Sequence, residues 1–233
     1  MIRALSALPP PEGYCGAKIE TLYDCYREIP SLASFYGGEG FCCAAFAGRL
    51  TVCGAPDAQE LAAFAGFLGA REIEGESLPA LAGFRRAAHP LLAFTGQPHA
   101  SSPPETDDLS AGYEILCDAD DGFRRGSDRL EWLSDLRRRT GRGRAHVYLR
   151  DGAAVFVTAQ TDRLAVIGAV ACRRRQRGQG LAASLVAEVA ASLAAKGLTP
   201  VTAAAGERLA GWYERIGFTR RGALALLTRA DAP

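Results

Sequence analysis

Residues 164–197 constrain the fold more than any other stretch. An apolar run from Leu164 to Ala171 meets Cys172, then the basic sequence Arg173, Arg174, Arg175, Gln176, Arg177, and then Gly178, Gln179 and Gly180. Beyond the glycines, Leu181, Leu185, Val189 and Leu193 recur every fourth residue, with Ala182, Val186 and Ala190 beside them. That spacing is the apolar stripe of a helix packed on a core, so the order is buried strand, basic glycine turn, helix. The first amides of a helix have no intrahelical partner, and the peptide dipoles add partial positive charge at the same end. Gly178 and Gly180 carry no Cβ to hold an anion off the backbone, and Arg177 adds a full charge. The turn is suited to a pyrophosphate.

The rest of the chain narrows the setting. At 48% hydrophobic and 23% charged, its 233 residues are ordinary globular material, long enough for a sizeable core. A formal net charge of +1 gives no general attraction to nucleic acid or to an anionic membrane, and neither is expected as a partner. The basic residues bunch at 137–144, read as a solvated face, and at 173–177, where the glycines argue for a site. Seven cysteines, with no C-x-x-C pair among them, suggest reduced thiols, no metal site and a cytoplasmic protein. The apolar part of the N-terminal stretch is short and ends at three prolines, so no targeting peptide is expected. No apolar run approaches membrane-spanning length.

In chain order, residues 14–36 read as one or two short helices broken at Pro30. Residues 41–46 and 49–53 read as a hairpin, followed by a helix capped by Asp57 and a further strand at 71–77. The polar, proline-bearing segment 98–110 reads as a linker between an N-terminal α+β domain (1–97) and a second domain (111–233). The second domain is expected to hold a first strand at 113–117, a helix at 128–139, and a hairpin of 144–149 with 153–158 around Asp151 and Gly152. After the strand and helix already described come a strand at 198–204, a helix carrying Tyr213, and a closing strand at 223–228. The first half repeats the order strand, turn, strand, helix, strand, but Ala55, Pro56 and Asp57 stand where the second half has its basic turn. A carboxylate there caps the helix and repels phosphate. The first half is therefore expected to be either a degenerate copy of the second, unable to bind the cofactor, or an unrelated α+β module.

Arg177-Gly-Gln-Gly180-Leu-Ala182 resembles the Q/R-x-x-G-x-G/A signature of the GNAT acetyltransferase superfamily. Val170, Ala171 and Cys172 stand where that family's strand often ends in Val-x-Thr. Gly211-Trp-Tyr213-Glu-Arg-Ile-Gly217-Phe218 is similar to its tyrosine-bearing helix and Gly-Phe turn. Three positions depart from the pattern, with Arg174 for the usual Pro, Cys172 for Thr and Gly206 for Asn. The resemblance covers residues 111–230 and implies an α/β (α+β) fold with a mixed, largely antiparallel sheet and flanking helices. It implies an acetyl-CoA-dependent N-acetyltransferase acting by direct attack of a primary amine, small-molecule or peptide. Cofactor contacts would come from Val170, Ala171, Cys172, Arg177, Gly178, Gln179, Gly180, Leu181 and Ala182. Tyr213 would protonate the departing thiolate. Glu207, Asp162, His146 or a water chain could serve as base, and the sequence does not choose among them; nor does it choose between monomer and homodimer.

Two rivals are weighed. Gly178-x-Gly180-x-x-Ala183 nominally fits a dinucleotide fingerprint, but five residues separate it from the strand and Ala203, Ala204, Ala205 and Gly206 end the next strand without an acidic residue. The other rival is a catalytically inactive CoA-binding sensor or partner-binding protein, for which Gly206 and the lack of an evident base argue.

Overall fold

The computed structural model, which describes residues 1–230, divides into two units that interleave along the chain. One holds Met1–Leu91, Ala203–Ala210 and the described residues from Arg220 onward; the other holds Leu92–Thr202 and Gly211–Thr219. The sequence boundary at 98–110 does not coincide with this division, because that segment lies within the second unit and the last strand returns to the first.

The first unit contains β1 (Arg3–Ala4), α1 (Gly13–Tyr26), β2 (Ala33–Gly38), β3 (Phe41–Phe46), β4 (Arg49–Gly54), α2 (Ala58–Phe67), β5 (Glu72–Gly75) and most of β6 (Phe84–Phe94). β1 to β4 pair antiparallel in sequence order, and β5 joins β4 in parallel. The β3–β4 turn has positive φ at both Ala47 (51°) and Gly48 (75°), the geometry that matches a two-residue hairpin to strand twist. A parallel neighbour needs a crossover, which α2 supplies between β4 and β5. Asp57 caps α2 as its sequence predicts, its side chain accepting from the amides of Gln59 and Glu60, both at 2.9 Å. Alternation then sorts the faces. Cys43, Leu50, Val52 and Ile73 pack with Leu61 and Ala65 of α2, while Cys42 and Ala44 pack with Ile19, Leu22 and Cys25 of α1. Each large apolar side chain so buried stabilises by roughly 1.5–3 kcal/mol. Of the one or two helices expected over 14–36, one forms and ends at Tyr26, and residues 33–38 are a strand: Ala33 and Phe35 alternate with less buried neighbours, a period that a helix cannot use.

One charged side chain interrupts the face toward α1. Glu74 is buried, paired with Lys18 and accepting from Thr51 Oγ1 at 2.7 Å. Burial alone would push its carboxyl up, but the Lys18 and Arg49 charges overrule burial and hold it below the usual carboxylate range.

The second unit runs α3 (Leu109–Ala119), α4 (Asp121–Gly126), α5 (Arg129–Gly141), β7 (His146–Arg150), β8 (Ala153–Gln160), β9 (Leu164–Cys172), α6 (Leu181–Ala195) and β10 (Thr199–Ala203). Helix α7 (Glu207–Glu214) and strand β11 (Phe218–Arg229) follow, each shared between the units by the path of the chain. β7, β8 and β9 pair antiparallel and β10 joins β9 in parallel; in the first unit β11 lies antiparallel to β5. Both units are thus mixed, largely antiparallel sheets with flanking helices.

The strand expected at 113–117 is instead part of α3. Asp108 caps it through the Ala111 amide at 3.0 Å, and Leu109, Tyr113 and Leu116, at helical spacing, pack with Val147 and Phe156. The strand-like run Tyr113 to Cys117 yields to the longer helical period around it. Among the described residues no helix is long and apolar enough to cross a membrane.

Candidate functional site

Strand β9 loses one of its two partners partway along. On one side it pairs with β8, Ile167 against Val157 and then Ala169 against Phe156, so Gly168 is passed over as a β-bulge. A Cβ at Gly168 would lie 2.1 Å from Thr158 Oγ1, so the strands approach there only because the residue is glycine. On the other side β10 pairs with Leu164, Ala165 and Val166 and then departs. β9 itself runs on to Cys172, leaving Val170, Ala171 and Cys172 on an edge that β10 no longer covers, with Val170 and Cys172 half-buried. The two strands form a fork.

At the tip of β9 the basic turn contains a short 3-10 helix, Arg174–Gln176, and is braced from two directions. The Arg173 amide donates to Gly152 O in the β7–β8 hairpin at 2.9 Å, and the Arg174 amide to Asp118 Oδ2 at 2.7 Å. Arg174 also pairs with Asp121 at 2.6 Å, a hydrogen bond and charge that hold this exposed carboxyl below its ordinary range. Arg177 donates through Nη2 to Ala119 O at 2.6 Å and through Nε to Cys172 O at 3.4 Å. Its guanidinium therefore anchors the turn to the end of α3.

Behind this brace the glycines open the start of α6. Gly178 (φ 78°) and Gly180 (φ 76°) both adopt the left-handed backbone that favours glycine, and a Cβ at either would meet nothing within 4 Å. Gly180 is the N-cap and no side chain caps the helix; the Ser184 amide makes the bond to Gly180 O at 2.9 Å. The amides of Leu181 and Ala182 therefore head the helix with open space before the two glycines. Gly178, Gln179 and Gly180 are exposed, and Leu181 and Ala182 are half-buried. An anionic diphosphate fits this cradle on charge and on room.

Tyr213, in α7, is buried against Trp212 and Phe218, at ring-centroid distances of 4.8 and 5.3 Å. Burial pushes its phenol up from the ordinary tyrosine range. Thr202, 1% exposed, is the first residue of β10 past the last β9 pair, and its Oγ1 donates to Ile167 O at 2.9 Å.

Two of the three candidate bases, Asp162 and His146, lie elsewhere in this unit. Asp162 sits in the turn before β9, at the end of the strand opposite Cys172. His146 lies two strands away on β7, its Nδ1 bonded to Glu105 at 2.6 Å. Glu207 is exposed and paired with Arg220 at 2.6 Å. Among the described residues no group of three or more His, Cys, Asp and Glu side chains could hold a metal ion. Gly168 and Thr202 are the site-forming residues that sequence reasoning does not single out. A lone glycine inside an apolar run was the available signal for the first, and nothing local marks the second.

Residues 149–225 match the FR47-like protein family, covering β8, β9, the basic turn, α6, β10 and α7. No match is found among curated proteins. The chain is similar in structure to a GCN5-related N-acetyltransferase from Kribbella flavida, with 16% identity, TM-score 0.59, and 94% of this chain and 95% of that one covered. It is similar also to a GCN5-related N-acetyltransferase from Sphaerobacter thermophilus, with 17% identity, TM-score 0.57, and coverage of 97% and 94%. A tandem GNAT protein from the clavulanic acid biosynthesis pathway aligns with 16% identity, TM-score 0.53, and coverage of 96% and 91%. The chain has the GNAT fold, and within it residues 149–225 are similar to the FR47-like family.

Proposed function

We propose that this protein binds acetyl-CoA in its second unit and transfers the acetyl group to a primary amine. The observation that carries the reading is the uncapped start of α6, open at Gly178 and Gly180, adjoining the edge of β9 that β10 leaves uncovered. The diphosphate would lie on the amides from Arg177 to Ala182. The amide-bearing pantetheine arm would pair with the free edge at Val170, Ala171 and Cys172, as an added strand pairs with an open sheet edge. A β9 amide near Val170 would face the thioester carbonyl, and an oxyanion donor of this kind supplies about 3 kcal/mol. In the transfer, the amine nitrogen forms a bond to the acetyl carbon, the carbon–sulfur bond breaks, and Tyr213 gives its proton to the sulfur. The amine loses the balancing proton, and water is the carrier most consistent with the placement of Asp162 and His146 away from the fork and the pairing of Glu207 with Arg220.

The first half reads as a degenerate copy of the second that has lost the cofactor site. Support comes from the shared order of three antiparallel strands, a crossover helix and a parallel strand.

A panel of small amines and peptides assayed for free-thiol release from acetyl-CoA tests the enzyme reading. Turnover with at least one acceptor is expected, falling at least about tenfold in Tyr213→Phe with CoA affinity unchanged. The placement of Asp162 and His146 away from the fork favours one second reading, a CoA-binding protein without catalysis. It predicts CoA binding and no thiol release with any amine.

A further inference from the structure

We propose that Cys42 and Cys53 form a thiol–disulfide site in the first unit: Cys53 takes up a small disulfide such as glutathione disulfide, and Cys42 resolves it into a cross-strand bond that releases the start of α1. The inference concerns the first half alone and does not depend on the transferase reading.

Register carries it. Cys42 of β3 and Cys53 of β4, both free thiols, are direct antiparallel partners. Residues opposite one another in such a ladder send their side chains to the same face. Cys53 accordingly packs against the cluster that holds Cys42 with Ile19, Leu22 and Cys25. The two-residue turn at Ala47 and Gly48 closes on Phe46–Arg49, a hydrogen-bonded pair in this turn geometry, so Ala44–Thr51 and Cys42–Cys53 are of the same kind, with Cα atoms about 5.5 Å apart. A disulfide spans Cα separations of about 4.4–6.8 Å, so it can close with the register intact. The β-carbons must draw in to about 3.8 Å, and a bond closed under such tension is of the readily reduced kind. Cys43, one residue along, shows the contrast. It has Val52 opposite, lies in the cluster with Leu50 and Leu61, and burial pushes its thiol up to about 12.

The two thiols differ in access. Cys42 is 3% exposed, whereas Cys53 is half-buried in the penultimate position of β4 and meets the small disulfide first. Its thiolate attacks one sulfur and expels the other as a thiolate. Cys42 then attacks the Cys53 sulfur of the mixed disulfide and expels the second. Each expelled thiolate takes up the proton that the attacking cysteine gave up, so two protein thiols are oxidised to one disulfide and the small disulfide is reduced to two thiols. Oxidation also removes a hydrogen-bond donor. In the reduced protein Cys53 Sγ donates to Glu12 O at 3.2 Å, directly before the first residue of α1, and the Cys15 amide in that first turn donates to Glu76 Oε1 at 3.1 Å. A disulfide sulfur has no proton to give, so Glu12 loses this tie.

The test incubates the full chain, under native conditions, with glutathione disulfide and maps its cysteines by mass spectrometry without reduction. The wild type is expected to lose two of its seven free thiols to a Cys42–Cys53 bond, and dithiothreitol to restore both. Cys42→Ala should stop at the mixed disulfide, with glutathione retained on Cys53, and Cys53→Ser should leave Cys42 unmodified over the same time. Amide hydrogen exchange at Cys15 should quicken at least about threefold in the oxidised wild type, the worth of one weak hydrogen bond, and recover on reduction. Glutathione left on Cys53 in the wild type, a bond from Cys53 to Cys15 or Cys25 instead, or no oxidation at all overturns the site. A Cys42–Cys53 bond with exchange at Cys15 unchanged overturns the release of α1.

Discussion

The two halves of this chain run the same course and differ at the places that matter for a ligand. β2, β3, β4, α2 and β5 repeat the order and pairing sense of β7, β8, β9, α6 and β10. In the first, Asp57 takes the leading amides of the helix for itself; in the second, Gly180 leaves them open. β3 and β4 pair without interruption from Phe41–Gly54 to Phe46–Arg49, whereas β8 and β9 are broken by the bulge at Gly168. β5 follows β4 as far as Val52, two residues short of that strand's end, while β10 leaves β9 six residues before Cys172. Topology therefore supplies only the scaffold. A helix start without a side-chain cap, a glycine bulge and a longer uncovered edge are what the proposed CoA site adds to that scaffold.

Substitutions that carry one half's features into the other can break this comparison. The largest effect is expected from Gly180→Asp, which gives α6 the cap that α2 has. The carboxylate occupies the amides and repels phosphate, and CoA affinity should fall at least about 100-fold. Gly180→Ala isolates the backbone strain of the left-handed position, about 1–2 kcal/mol, and should cost far less affinity, measured by calorimetry on both variants. If Gly180→Asp binds CoA like the wild type, the helix start is not the anion site.

A smaller effect is expected at the bulge. Gly168→Ala places a carbon against Thr158, where even the Thr158 Cβ would be 2.9 Å away, so the backbone must shift. Thermal unfolding should show a loss of about 1–3 kcal/mol, and turnover should fall with the fork's geometry. An unchanged midpoint and rate would show that the bulge tolerates a side chain.

The smallest effect belongs to the first half. Asp57→Ala should destabilise by about 1 kcal/mol, the ordinary worth of an N-cap, and leave CoA affinity unchanged. A change in affinity would mean that the first half takes part in binding.

What could be read in the sequence follows from how local each cause is. The helix from Leu181, the Asp57 cap and the Ala47–Gly48 and Asp151–Gly152 turns depend on residues adjacent in the chain, and each is found where its residues indicate. α3 was hidden because Tyr113 to Cys117 taken alone suits a strand, and only the wider spacing from Leu109 to Leu116 marks a helix face. β6 contains Pro90, which has no N–H to give to a ladder, yet its carbonyl accepts from the Ala204 amide at 2.9 Å. The direction of Arg177 was beyond sequence reasoning, since its partner at Ala119 lies 58 residues away. The fork itself is a non-local event. It exists because β10 stops pairing at Val166 and β8 skips Gly168, and in sequence its only trace is one glycine in an apolar run.

The central claim is that the main-chain amides opening α6 hold the diphosphate of CoA. Backbone amide NMR during a CoA titration tests it most directly. The account predicts saturable shifts at Gly178, Gly180, Leu181 and Ala182, joined by Val170 to Cys172 along the β9 edge, with Gln59 and Glu60 at the capped start of α2 unmoved. Signals from the α6 start that stay in place while others saturate, or no saturation anywhere, would contradict it.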